Sequence, residues 1–203
     1  MKPELVTISP IDGSRLLRRP VLDVATLQAA LEAARAAQPA WRALPVADRA
    51  VVVGRGIDAF VAMKDRVAKE ITLQMGRPIR DTPREVDGFA ACARHMIRIA
   101  EDALADLTPA PRVGFTRFIR REPLGIVLAV TPWSYPLLTA VNGVVAALMA
   151  GNAVILKPSA QTPMAGERID LGRITMPVYI VASRDDHIVP WRSAYRSTGL
   201  LGG

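Results

Sequence analysis

Residues 125–157 read GIVLAVTPWSYPLLTAVNGVVAALMAGNAVILK, and this segment predicts the class of fold. Its first run, GIVLAV, is continuously apolar, as is typical of a parallel strand covered on both faces. Residues 137–150 have the length and periodicity of a helix, and Gly151 with Asn152 can end that helix in a left-handed cap. The final run, AVILK, predicts a second buried strand. Strand, helix and strand form a βαβ unit with a right-handed crossover.

The two predicted strands run in the same direction, so the polar segments that follow them leave the sheet at one edge. TPWSYP at 131–136 follows the first strand, and KPSAQTP at 157–163 ends the second. Open α/β sheets bind their ligands at the carboxyl ends of the strands. Lys157 would place an ammonium there, suited to ribose hydroxyls or a phosphate. Taken alone, a lysine at this position is also compatible with a merely solvated strand end.

Upstream of this unit, three amphipathic helices are predicted to form a helical layer. The first spans about residues 24–36, with Asp23 as its N-cap. The second begins near Asp48 and is ended by Gly76 and Pro78, and the third spans about residues 83–105. The segment from Pro39 to Pro45 would separate the first two helices, and the residues before Asp23 are predicted to be irregular. Residues 113–125, VGFTRFIRREPLG, alternate in character and predict an exposed strand or hairpin arm.

Composition and charge predict a globular cytoplasmic protein. Half of the 203 residues are hydrophobic, which is enough for a core, and the formal net charge is +7. The basic cluster at 117–122 alternates with apolar residues, so no nucleic-acid partner is predicted. Asn142 and Gly143 interrupt the longest apolar run, which favours a helix and a strand over a membrane span. The single cysteine, Cys92, provides no disulfide or metal cluster, and no secretory signal is predicted at the N-terminus.

Two segments, EPLGIVLAVTPWSYPLL at 122–138 and AGNAVILKPSAQTP at 150–163, resemble the aldehyde dehydrogenase superfamily. The resemblance extends back through LQMGRPIRDTPREVDG at 73–88 and AWRALPVADRA, and covers about residues 20–168. It implies NAD(P)-dependent oxidation of an aldehyde to a carboxylic acid. It also implies a cofactor, NADP or NAD, held by Thr131, Pro132, Trp133, Lys157, Ser159 and Ala160.

Individual residues depart from the family pattern. In the family, an asparagine of the Pro-Trp-Asn motif helps to form the oxyanion hole, and Ser134 stands at that position. The loss of one such donor typically reduces the rate by about 10² to 10³. The family's strand-ending lysine, here Lys157, bonds the adenosine ribose. Ala160 replaces a glutamate that many members use to hold the ribose hydroxyls, so NADP should be tolerated at least as well as NAD.

The family's catalytic thiol, general-base glutamate and glycine-rich turn lie beyond the resembling segment. Cys92 falls in the third predicted helix, where we expect a packed or idle thiol and no nucleophile. The resemblance therefore implies a truncated and catalytically impaired enzyme in which cofactor affinity is weak or lost.

From Ile169 onward the sequence, IDLGRITMPVYIVASRDDHIVPWRSAY, resembles a late segment of polyhydroxyalkanoate synthase, an α/β-hydrolase. Asp186 matches that family's triad acid, and His187 and Trp191 match the neighbouring loop residues. The 203 residues contain no nucleophile elbow, and His187 adjoins the acid too closely to act as its base. This second set is therefore incomplete.

The sequence as a whole predicts an α/β chain of two regions. Residues 1–168 would form a helical layer and a partial parallel βαβ dinucleotide-binding unit, and residues 169–203 a short hydrolase-like strand and loop. The leading interpretation is an impaired aldehyde dehydrogenase. The alternatives are a remnant or partner of a full-length synthase, and an inactive fusion fragment that self-associates through unpaired strand edges. The join near residues 167–169 could be natural, engineered or an assembly error.

Overall fold

A computed structural model describes residues 4–159, which contain four strands and five helices. In chain order they are β1 (Glu4–Ile8), β2 (Arg15–Pro20), α1 (Val24–Ala43), α2 (Val46–Val61), α3 (Lys64–Met75), α4 (Thr82–Leu104), β3 (Ile126–Thr131), α5 (Pro136–Met149) and β4 (Ala153–Pro158). β1 pairs with β2 in an antiparallel hairpin, and β3 pairs with β4 in parallel. The predicted α/β class, the helical layer and the βαβ unit are confirmed.

The parallel pair β3–β4 is in level register. Ile126 lies opposite Ala153, and the pairing continues without a shift to Thr131 opposite Pro158. Helix α5 returns the chain between the two strands and ends as predicted, because Gly151 adopts a φ of 85°. The backbone N–H groups of Gly151 and Asn152 donate to the carbonyls of Leu148 and Ala147, each at 3.0 Å. This pattern is a Schellman motif, which needs a left-handed residue that glycine adopts without steric cost.

Asn152 joins the end of α5 to the start of β3 through its side chain. Its Oδ1 accepts a hydrogen bond from the N–H of Gly125 at 2.9 Å, and its Nδ2 donates to the carbonyl of Ala147 at 3.1 Å. The residue is buried. Buried amides of this kind fix geometry because each group they satisfy would otherwise lose its partner.

Replacement of Asn152 by alanine is expected to lower the free energy of unfolding by about 2 kcal/mol, since the Gly125 N–H loses its acceptor. Urea denaturation of the wild type and the variant measures this change. Asn142→Ala is the matched control, because Asn142 is an exposed asparagine on α5. Equal stability losses in the two variants would contradict the bridging role of Asn152.

The core lies between α2, α4 and α5. Its buried members are Val53, Ile57, Ala90, Ala93, Ala100, Val141, Val145 and Met149. The residues that α4 contributes are alanines, which allow its backbone to approach its neighbours closely. Gly88 of α4 is also in close contact with α5, because a Cβ there would lie 3.0 Å from Cδ2 of Leu138. Helix α5 is therefore fixed against α4 along its length.

The first predicted helix is longer than expected and passes through Pro39 to end at Ala43. A proline inside a helix loses one backbone hydrogen bond, which made residues 39–45 a predicted break. Tertiary contacts compensate for that loss in the structure. Gln38 Nε2 donates to the carbonyl of Gly151 at 3.0 Å, and Trp41 Nε1 donates to that of Leu148 at 2.9 Å. The predicted N-cap Asp23 is confirmed, and its Oδ1 accepts from the N–H of Thr26.

The second predicted helix is divided into α2 and α3. The break falls at Ala62 and Met63, where the N–H of Met63 donates to Phe60 in a tight turn. No glycine or proline stands at this point, so the apolar periodicity alone did not reveal the break. Gly76 ends α3 with a φ of 76°, as predicted. The third predicted helix is confirmed as α4.

Two predictions about strands were wrong. Residues 113–125 form no strand, and the region holds only two isolated bridges, Leu107 with Ile119 and Arg112 with Phe115. Their alternation therefore reflects an exposed loop. The start of the chain, predicted to be irregular, instead forms the β1–β2 hairpin, whose turn contains Gly13 at a φ of 71°. Arginines interrupt the alternation of β2, so its sequence lacks a clear strand signal.

The prediction that β3 is covered on both faces was also wrong for the described residues. Ala129 faces α5, where a side chain added at Gly143 would contact its Cβ. Leu128 and Val130 point the other way and are 60% and 62% exposed. A parallel strand is normally apolar on both faces because helices cover both, and within residues 4–159 only one face of β3 is covered.

Candidate functional site

The carboxyl edge of the β3–β4 pair brings the predicted site residues of residues 4–159 together. We call this region, Thr131–Tyr135 with Lys157–Ser159, the carboxyl edge. Val130 lies opposite Lys157, and Thr131 lies opposite Pro158. The turn after β3 and the end of β4 therefore emerge side by side, as the sequence predicted from the parallel direction of the strands.

Side chains at the carboxyl edge are mostly accessible. Thr131 is buried, whereas Trp133, Ser134 and Lys157 are exposed and Ser159 is half-buried. The edge thus carries an exposed ammonium, hydroxyl and indole ring at one end of the strand pair. The roles predicted for these residues, including Ser134 at the oxyanion position, stay predictions.

The carboxyl edge is supported from helix α4 by a buried ion pair that the sequence analysis missed. Glu85 is 2% exposed, and its Oε1 accepts a hydrogen bond from the N–H of Leu137, in the first turn of α5, at 3.0 Å. Its Oε2 pairs with Nη1 of Arg77. The Arg77 guanidinium lies 4.7 Å from the centre of the Tyr135 ring. Arg77 and Glu85 both belong to the quoted segment LQMGRPIRDTPREVDG, but their spacing gave no sign that they meet.

A second buried charge supports the opposite end of α5. Arg49 is 7% exposed, and its Nε donates to the carbonyl of Met149 at 3.0 Å. Its Nη1 donates to the carbonyls of Arg42 and Leu44, at the end of α1. Burial lowers the pKa of the Arg49 guanidinium, yet an arginine keeps its charge in proteins. A cation at a helix C-terminus is favourable, because the unpaired carbonyls there carry partial negative charge.

Other predicted residues lie away from the carboxyl edge or outside the described residues. Cys92 is half-buried in α4 and packs against the core cluster, which confirms the expectation of a packed thiol. Ala160, Asp186, His187 and Trp191 lie outside residues 4–159, as does the predicted hydrolase-like segment. None of the helices in residues 4–159 has both the length and the apolar character needed to cross a membrane.

The helical layer, the level parallel pair and its polar carboxyl edge define an α/β protein of the class that binds ligands at the carboxyl ends of parallel strands. Residues 2–171 match the family profile described as the aldehyde dehydrogenase family. The chain belongs to the aldehyde dehydrogenase family. The match includes the predicted 20–168 segment and extends beyond it at both ends.

Relatives of known activity agree with this assignment. The chain is 35% identical over 161 residues to 3,6-anhydro-alpha-L-galactose dehydrogenase of Streptomyces coelicolor, covering 79% of this chain and 32% of the relative. The solved structure of PnpE in complex with nicotinamide adenine dinucleotide is 32% identical with a TM-score of 0.72, and the match covers 77% of this chain and 32% of that one.

A third relative is the NADP-dependent glyceraldehyde-3-phosphate dehydrogenase of Bacillus halodurans C-125, solved with NADP. It is 27% identical with a TM-score of 0.72, over 78% of this chain and 34% of that one. The chain spans about a third of the length of the curated relatives it matches.

Proposed function

We propose that the carboxyl edge forms part of a nicotinamide dinucleotide site that takes NADP or NAD. The observation that carries this proposal is the level register of β3 and β4, which sets Lys157 beside Val130 and next to the turn that follows Thr131. Ligands of open α/β sheets bind at such an edge. The solved relatives that contain NAD and NADP support the same choice of ligand.

The residues present fit this group in chemical terms. Lys157 is exposed near the end of β4 and offers a positive charge to ribose hydroxyls or a phosphate. Thr131, which is buried, and Ser159 carry hydroxyls, and Pro132 with Trp133 adds exposed apolar surface at the same edge. A bound nicotinamide dinucleotide would supply the hydride acceptor for aldehyde oxidation. The alanine at position 160 adds no carboxylate that would repel a 2′-phosphate, which favours acceptance of NADP.

We further propose that the 203 residues alone oxidise aldehydes little or not at all. Covalent aldehyde oxidation needs a thiolate that faces the nicotinamide. The one cysteine, Cys92, is half-buried on α4 and packs against the core cluster. The carboxyl edge would then bind the cofactor weakly and without turnover. Spectrophotometry of NADP and NAD reduction with a simple aldehyde tests this, and steady turnover that depends on the purified chain would contradict it.

Lys157→Ala is expected to weaken cofactor binding. A saturating cofactor at a hundred times its dissociation constant should stabilise the wild type by about 2.7 kcal/mol, and the variant should lose most of this gain. Thermal unfolding with and without NADP or NAD measures the difference. Lys69→Ala is the control, because Lys69 is an exposed lysine on α3, away from the edge. A cofactor response that both variants keep in full would remove Lys157 from the site.

A further inference from the structure

We propose that Glu85 is a positioning residue which, together with Arg77, sets the conformation of the turn at 132–135. This inference rests on the proposed function, since that turn is one half of the proposed cofactor site. Neither residue belongs to the carboxyl edge itself. They act on it from α4 and from the loop between α3 and α4.

The two oxygens of Glu85 have different tasks. Oε1 accepts the N–H of Leu137, one of the N–H groups at the start of α5 that have no partner inside the helix. A carboxylate is favourable at a helix N-terminus because of the positive end of the helix dipole. The buried Glu85 side chain thereby fixes where α5 begins, immediately after the turn.

The second oxygen of Glu85 fixes the turn itself through an intermediary. Oε2 pairs with the guanidinium of Arg77, which neutralises a carboxylate that would be costly to bury alone. The planar guanidinium then lies over the ring of Tyr135, the last residue of the turn. One buried carboxylate thus restrains both Tyr135 and Leu137, on either side of Pro136.

The other end of the turn is restrained by the sheet. Thr131 is buried and lies opposite Pro158 at the end of the ladder. Residues 132–135 are all exposed, and contacts hold the turn at both of its ends. Beneath the turn, α4 and α5 are in close contact, since a Cβ at Gly88 would lie 3.0 Å from Cδ2 of Leu138. Such restraint would lower the ordering cost of binding a cofactor at the edge.

Glu85→Gln and Arg77→Lys separate these two contacts. In Glu85→Gln the side chain is neutral, so it no longer forms an ion pair with Arg77. The hydrogen bond from the Leu137 N–H also loses its charged acceptor, and we expect hydrogen exchange of that amide to rise about tenfold. The lysine keeps a charge for Glu85 but loses the flat stacking on Tyr135. In Arg77→Lys, Leu137 should stay protected while acrylamide quenching of Trp133 increases. Exchange is read by NMR. Quenching is measured in a Trp191→Phe background, and the contribution of the remaining Trp41 is subtracted with a Trp133→Phe, Trp191→Phe double variant.

Matched controls are Glu101→Gln, an exposed glutamate on α4, and Arg80→Lys, an arginine whose side chain is 84% exposed. Both should leave exchange and quenching unchanged. Leu137 exchange in Glu85→Gln equal to that in Glu101→Gln would overturn the proposal. If Glu85→Gln does not fold, the test rests on Arg77→Lys. Acrylamide quenching of Trp133 in Arg77→Lys equal to that in Arg80→Lys would then overturn the proposal.

The NADP dissociation constant, measured by titration of the same variants, separates this proposal from the proposed function. Weakened binding in Glu85→Gln alongside the exchange effect supports both. A wild-type chain that binds neither NADP nor NAD would refute the cofactor site, while the exchange and quenching results would still decide whether Glu85 positions the turn. Unchanged NADP affinity with altered exchange would overturn the link between this turn and binding.

Discussion

Replacing Arg49 by methionine is expected to destabilise the protein strongly. Methionine keeps much of the apolar stem but removes every donor of the guanidinium. The carbonyls of Met149, Arg42 and Leu44 then lose their partner at once. A buried polar group left unsatisfied costs about 1–3 kcal/mol, so we expect a loss of about 3 kcal/mol or more in the free energy of unfolding.

Urea denaturation monitored by circular dichroism measures the effect of Arg49→Met. Arg55→Met is the control, because Arg55 is an exposed arginine on the same helix. Arg49→Lys should fall between the wild type and the methionine variant, because an ammonium cannot span carbonyls of two helix ends as the guanidinium fork does. A methionine variant as stable as the control would mean that water replaces the guanidinium, and that Arg49 does not hold α1 and α5 together.

The second large effect is expected for Met149→Ala. Among residues 4–159, Met149 is the largest of the fully buried side chains, and it belongs to the core cluster between α2, α4 and α5. Truncation of a buried methionine to alanine costs about 2–5 kcal/mol, because the lost burial adds to the cost of the cavity left behind. The cavity should weaken the packing of α5. It should also weaken the start of β4, which follows α5 directly after the cap at Gly151.

Met63→Ala is the control for this change, since Met63 is 42% exposed at the break between α2 and α3. The double variant Arg49→Met with Met149→Ala gives a further check. Arg49 donates to the carbonyl of Met149, so the two stability losses should not add. A fully additive double variant would show that the core and the buried arginine stabilise α5 independently.

The local sequence was sufficient for the βαβ unit and for the meeting of its polar ends. Apolar runs of strand length, a helix of the right period and a glycine at its end leave few other arrangements, and parallel strands must end at the same edge. For this reason the sequence predicted that Thr131 and Lys157 lie close together, although they are far apart in the chain. The family motif also lies within this segment.

Contacts between distant segments decided what the sequence did not show. Helix α1 continues through Pro39 because Gln38 and Trp41 bond to carbonyls near the end of α5, more than a hundred positions later. The local sequence shows that a proline removes one backbone hydrogen bond from the helix, but it does not show the hydrogen bonds that tertiary packing adds. The exposed face of β3 was not predicted, because a continuous apolar run does not show whether one face of a strand or both faces are covered.

The sequence by itself determined the class of fold, the edge at which a ligand would bind and the type of residue found there. Only the tertiary structure revealed what holds that edge in place. Glu85 and Arg49 each bury a charge, and a charged residue in an amphipathic helix is normally expected in solvent. Burial becomes favourable only when partners such as Arg77, the Leu137 N–H and the Met149 carbonyl are brought to them by folding.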